Sequence, residues 1–140
     1  MADAKGLSSI DVAALARELN GYAGGYARKA YQHGKELMLE FYSAEKRSAW
    51  LYFDGQKAFL SASKGASSEA STGNPTGFAM AVRKYLCGKL GSVRQVGFDR
   101  VMEIKAGEAT LFLEFLRPGN AILCSTDGKI IPALSHNSFA

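Results

Sequence analysis

The chain has 140 residues, 47% hydrophobic and 21% charged, with a net charge of +4, the composition of one globular domain with its own core. No apolar run approaches the ~18 residues that span a bilayer, and the opening MADAKGLSSI lacks the features of a secretory signal. Cys87 and Cys124 are too few for a disulfide framework and have no metal-ligand spacing to His33 or His136, so a reduced cytoplasmic chain without metal or cofactor is predicted.

The first half of the chain predicts one helix followed by strands. Five apolar residues recur at helical spacing: Val12, Leu15, Ala16, Leu19 and Ala23. Ser8 stands three residues before Asp11, as in a capping box that starts a helix. Four segments then fit strands: 26–33, 35–43, 47–53 and 57–63. Residues 61–75, SASKGASSEASTGNP, are small and polar and predict a loop.

The second half predicts the same order of elements. Asn74 and Pro75 fit the N-cap and the first position of a helix. Five apolar residues form the buried stripe of that helix: Phe78, Val82, Tyr85, Leu86 and Leu90. Five segments then fit strands: 92–98, 100–106, 109–116, 120–124 and 129–132.

The two halves also resemble each other residue by residue. Sliding the sequence on itself by 63 positions aligns residues 11–65 with 74–128 without a gap. The alignment gives ten identities, whereas about three or four are expected by chance. The identities include Gln32 with Gln95 and Glu40 with Glu103. The same alignment places Leu37 opposite Arg100.

These patterns together predict an α+β fold in one domain, residues 8–133. We expect two packed antiparallel sheets with a helix beside each. The domain would consist of two pseudo-repeated helix–strand–strand–strand halves, about 9–65 and 72–133.

The positive charge is concentrated in one segment. Residues 76–105 carry six basic side chains against Asp99 and Glu103, so the net charge of +4 lies in this segment. A basic segment on an otherwise neutral chain indicates an anionic partner, of which the nucleic-acid backbone is the commonest. A solvated basic face is the alternative. Four of the basic residues are candidate phosphate contacts: Arg83, Lys84, Lys89 and Arg94.

The stretch SVRQVGFDRVMEIKAG, residues 92–107, alternates as a strand does but contains a misplaced charge. Arg100 shares its parity with the apolar Met102, so a straight strand would direct the guanidinium into the core, where an unpaired charge is costly. Either the chain bends, as Gly97 permits, or Arg100 lines a cleft. A bend would allow Arg100 and its neighbour Asp99 to meet one ligand.

Several stretches resemble the N-terminal domain of the NFACT family, first named for fibronectin-binding protein A and associated with ribosome-associated quality control. The longest are GFAMAVRKYLCGKLGSVRQVGFDRVMEI and LFLEFLRPGNAILCSTDGKII, and SSIDVAALARELN and ARKAYQ match the family's first helix and strand. The likeness covers residues 8–133. The Asp99–Arg100 pair that follows Gly-Phe is its most specific mark.

The resemblance implies a function in RNA binding. Members of the family bind obstructed large ribosomal subunits that still carry peptidyl-tRNA, and many recruit charged tRNA and drive untemplated tail addition. The family residues tied to tRNA map to Asp11, Asp99 and Arg100. Members are also multidomain proteins, so residues 134–140 would begin a downstream region.

Two alternatives come from other classes of protein. The family's N-terminal domain is similar in fold to that of formamidopyrimidine-DNA glycosylases, which use the amine of a proline exposed by methionine removal. Ala2 and Asp3 stand where that Pro-Glu start would be, so the nucleophile is missing and enzymatic activity is not expected. A fibronectin-binding adhesin is the other alternative, and it rests on the family's historical name.

Overall fold

A computed structural model describes residues 8–33, 36–54, 57–61, 77–97, 99–115 and 120–129. Helix α1, Ser9–Asn20, precedes strands β1–β4: Tyr26–His33, Glu36–Tyr42, Ser48–Phe53 and Ala58–Ser61. Helix α2, Gly77–Ala81, continues into a π-helical segment, Val82–Leu86. Strands β5–β8 follow: Gly88–Gln95, Val101–Ala106, Ala109–Glu114 and Asn120–Ser125. Several predicted features lie outside the described residues: the helix start at Asn74 and Pro75, the loop after Ser61, the strand after Lys129, and residues 134–140.

The described strands form one antiparallel sheet in the order β4-β3-β2-β1-β5-β6-β7-β8. This order corrects the prediction of two separate sheets. Strands β1 and β5 pair at Tyr26–Lys89 and Ala27–Gly88, and this short pairing joins the two four-stranded halves. Glycine permits the close approach of backbones beside the join, because a Cβ on Gly88 would lie 2.9 Å from the Cα of Gly107.

One hydrophobic core lies between the inner faces of the two halves. Every second residue of a strand in each half points into this core: Leu37, Leu39 and Phe41 of β2, and Met102 and Ile104 of β6. The rings of Phe53 and Phe115 meet edge to face with 5.1 Å between centroids, so the halves pack against each other. Helix α1 covers β5 and β6, whereas α2 lies against β1. The predicted α+β class is confirmed.

The boundary between α2 and β5 lies earlier than the sequence predicts. The apolar stripe places Leu90 on the helix, but the helical turns end at Leu86 and Cys87 has an extended backbone, with φ −66° and ψ 124°. Leu90 enters the core from β5 instead and is 1% exposed. Periodicity alone could not place this boundary, because a single apolar residue can reach the core from a helix or a strand.

Both halves consist of a helix followed by four described strands in meander order, and the four strand segments predicted in the first half are all present. The predicted helix–strand–strand–strand unit is therefore one strand short of the described halves. The offset of 63 residues does not hold for every strand. Phe41 pairs with Ala49, whereas its counterpart Ile104 pairs with Leu111, which lies 62 residues beyond Ala49. The β2–β3 and β6–β7 hairpins therefore differ in register by one residue. The internal repeat and the likeness to the glycosylase domain stay predictions.

Candidate functional site

The turn between β5 and β6 places Arg100 outside the core. Gly97 has a φ of +59°, in the left-handed region that favours glycine, and the chain bends there as predicted. Asp99 and Arg100 are both exposed, whereas Leu37, the residue aligned with Arg100, is fully buried. The bend thus removes the guanidinium from the apolar face of the strand.

Backbone hydrogen bonds hold the Asp99–Arg100 pair on both sides. The Asp99 N–H donates to the Val96 carbonyl at 3.1 Å, and the Arg100 carbonyl accepts the Phe115 N–H at 2.8 Å. Within the described part of the chain, neither the Asp99 carboxylate nor the Arg100 guanidinium has a hydrogen-bond or ion-pair partner. One turn therefore presents two opposite charges to solvent.

Asp11 lies in the first turn of α1 and belongs to a capping box. Its Oδ2 accepts the Ser8 N–H at 3.1 Å and the Ser8 hydroxyl at 2.9 Å, while the Ser8 Oγ accepts the Asp11 N–H at 3.2 Å. The predicted capping box is therefore confirmed. The carboxylate is exposed, so the cap still faces solvent.

We expect Asp11→Ala to lower the free energy of unfolding by about 1 kcal/mol, because it removes the acceptor of the Ser8 N–H and hydroxyl and a favourable charge at the helix start. Asp11→Asn keeps an acceptor for Ser8 and removes only the charge, so its loss should be smaller. Urea denaturation of the two variants measures the difference. Equal losses would contradict the capping role and assign the stabilisation to charge alone.

Strand β5 holds both ends of α1 and so brings the two parts of the site together. At the end of the helix, the Val93 N–H donates to Oδ1 of Asn20 at 2.9 Å. At its start, Nε2 of Gln95 donates to the Ser9 carbonyl at 2.8 Å and also to the Asp99 carbonyl at 2.8 Å. The helix turn that carries Asp11 is thereby linked to the turn that carries the acid–base pair.

Two of the four candidate phosphate contacts are used inside the protein. Nε of Arg83 donates to the Ala30 carbonyl of β1 at 2.7 Å. Nε of Arg94 donates to Oε1 of the buried Glu103 at 2.6 Å, and this hydrogen bond raises the pKa of Arg94 above its ordinary value. Arg83 thus ties its helical turn to β1 and Arg94 ties β5 to β6, while both side chains remain exposed.

The two lysines among those candidates are exposed but lie apart from the acid–base turn. Nζ of Lys84 stands 5.1 Å from the ring centroid of Tyr85. Lys89 lies near the start of β5, six residues and therefore about 20 Å from Gln95 at its end. With Lys105 it lines an open cleft of about 310 Å³ on the outer face of the sheet. The basic residues do not form one patch around Arg100.

The described residues were also compared with the requirements of a metal site, a reactive thiol and a membrane-spanning helix. They contain no group of three or more His, Cys, Asp or Glu side chains that could hold a metal ion. Burial raises the pKa of both thiols, Cys87 and Cys124, which disfavours a reactive thiolate. No described helix is long and apolar enough to cross a membrane.

These elements define an α+β domain that presents an exposed acid–base turn beside a capped helix start. The family model of the NFACT N-terminal and middle domains matches residues 8–140, and the chain belongs to that family. The resemblance seen in the sequence is thus confirmed.

Two known proteins illustrate the relationship. Ribosome quality control complex subunit 2 of Saccharomyces cerevisiae is 29% identical over 132 residues, which cover 89% of this chain and 12% of that protein. The chain therefore spans about an eighth of the length of this relative. The crystal structure of the fibrinogen-binding protein from Staphylococcus aureus is similar with a TM-score of 0.68 at 23% identity, over 88% of this chain and 48% of that one. At that identity the structural similarity shows the fold alone.

Proposed function

We propose that this chain is an RNA-binding module of a ribosome-associated quality control factor, and that it helps to engage tRNA on obstructed large ribosomal subunits carrying peptidyl-tRNA. The observation that carries the proposal is the linkage of three residues through Gln95. Asp11 lies 88 positions before Asp99 and 89 before Arg100, yet one amide group connects the helix turn and the strand turn that carry them.

The chemistry of the turn fits this role. Arg100 has a planar guanidinium with no described partner, which suits two parallel hydrogen bonds to a phosphate. The adjacent Asp99 can accept hydrogen bonds from a ribose hydroxyl or a base amino group. Family membership supports the ribosomal context, since the yeast relative is named as a subunit of the ribosome quality control complex.

The proposed module acts in the cytoplasm by binding and not by catalysis. The described residues of the site offer a guanidinium and two carboxylates, which position a ligand by charge and hydrogen bonds.

A binding titration tests the proposal. Fluorescein-labelled total tRNA is added to the 140-residue chain, and a DNA duplex of equal length serves as the comparison. The complete gene product is then tested for co-sedimentation with large ribosomal subunits that carry peptidyl-tRNA. Preference for tRNA over DNA and for loaded over empty subunits is expected. Equal binding to DNA and RNA in the titration, with no preference for loaded subunits, would contradict the proposal.

The salt dependence of tRNA binding gives a second measurement. We expect log K to fall with log salt with a slope of only about −2 to −4, because a net charge of +4 allows few phosphates to be neutralised at once. Arg83 and Arg94 each use Nε within the protein, and Lys89 lies at the opposite end of β5 from the acid–base turn. A slope steeper than this range would show that a larger basic face takes part. A slope near zero would show that non-ionic contacts dominate.

A further inference from the structure

Gln95 occupies an unusual place in the site. Its side-chain amide carries two N–H groups and both acceptors are main-chain carbonyls, Ser9 of α1 and Asp99 of the β5–β6 turn, each at 2.8 Å. Ser9 lies 86 residues before Gln95 in the sequence, and Asp99 lies four residues after it. One side chain thus satisfies groups from two distant segments.

This contact joins the first turn of α1 directly to the β5–β6 turn, in addition to the packing of α1 on β5 and β6. Among the hydrogen bonds of the described residues, no other one connects the first turn of α1 to the β5–β6 turn through a side chain. The Asp99 backbone is bonded on both sides, through its N–H to Val96 and through its carbonyl to Gln95. The residue that follows at once is Arg100.

We infer that Gln95 is the positioning residue of this site, setting the distance between Asp11 and the Asp99–Arg100 pair so that both turns contact one tRNA. This inference rests on the proposed function. Gln95 itself points its amide at two protein carbonyls, so it acts through the turns that it links.

The decisive variant is Gln95→Met, which keeps the length and neutrality of the side chain but has no N–H to donate. We expect labelled tRNA to bind the chain about tenfold more weakly at fixed salt, because the two turns are no longer held at one distance before tRNA binds. Gln32→Met is the matched control, since Gln32 is the residue aligned with Gln95 in the other half, and its binding should equal that of the unmodified chain. Should Gln95→Met fail to fold, Gln95→Asn, which is one methylene too short to reach both carbonyls, replaces it.

A double mutant separates positioning from general stability. In an Arg100→Ala background, Gln95→Met should weaken tRNA binding by no more than about twofold, because the guanidinium, the main phosphate contact that Gln95 positions, is already absent. A full tenfold loss in that background would overturn the inference, as would normal binding by Gln95→Met alone. If the unmodified chain does not prefer tRNA over DNA, the proposed function fails, and if Arg100→Ala binds tRNA normally, the pair that Gln95 is inferred to position is not the tRNA contact and the inference is overturned. If only Gln95→Met binds normally, the proposed function stands and the positioning role is refuted.

Discussion

Leu37→Arg should unfold the domain, whereas Arg100→Leu should leave it folded. The two residues align between the halves, but Leu37 is fully buried in the shared core and Arg100 is exposed on a turn. An unpaired guanidinium at Leu37 would cost several kcal/mol of desolvation, and the unfolding free energy of a whole domain is only about 5–15 kcal/mol. Urea denaturation followed by circular dichroism measures both effects.

The two variants control for each other, because each replaces one residue of the aligned pair by the residue type found at the other position. Arg100→Leu adds one exposed leucine and should change the unfolding free energy by about 1 kcal/mol or less. If both variants unfolded, Arg100 would contribute to stability and the assignment of its charge to ligand binding would be wrong. If neither did, the core around Leu37 would be more open to water than its burial indicates.

Arg100→Ala should weaken tRNA binding by about tenfold or more while the domain stays folded. A hydrogen-bonded contact between a charged group and phosphate contributes about 1.5–3 kcal/mol, and about 1.4 kcal/mol is a factor of ten in affinity. The truncation opens no cavity, because the side chain is exposed. Labelled tRNA titration and thermal melting of the same preparation provide the two readouts.

Arg17→Ala is the matched control for this variant. Arg17 is an exposed arginine in the last turn of α1, so its loss removes the same charge at the far end of the helix. It should leave tRNA binding close to that of the unmodified chain. Asp99→Ala should act like Arg100→Ala, and the double mutant should be less than additive if the pair contacts one ligand. If a folded Arg100→Ala variant binds tRNA normally, Asp99 and Arg100 have a structural role in the turn and do not contact tRNA.

Much of the candidate site could be predicted from local sequence. The capping box requires only Ser8 and Asp11 at a spacing of three, and the structure has it. The bend follows from an arginine in an apolar series next to a glycine, and Gly97 adopts the left-handed conformation. Such features depend on neighbours within one turn of chain, so residue type and spacing are sufficient to predict them.

Only the tertiary structure decided which distant groups meet. The sequence determined the first helix, the alternating strands and the single acid–base turn. It did not determine that β1 pairs with β5 through Ala27 and Gly88. It gave no sign that Gln95 reaches the Ser9 carbonyl or that Arg94 is held by Glu103. The physical reason is that local patterns record which face of an element is apolar, whereas partners across a fold depend on how those faces pack together.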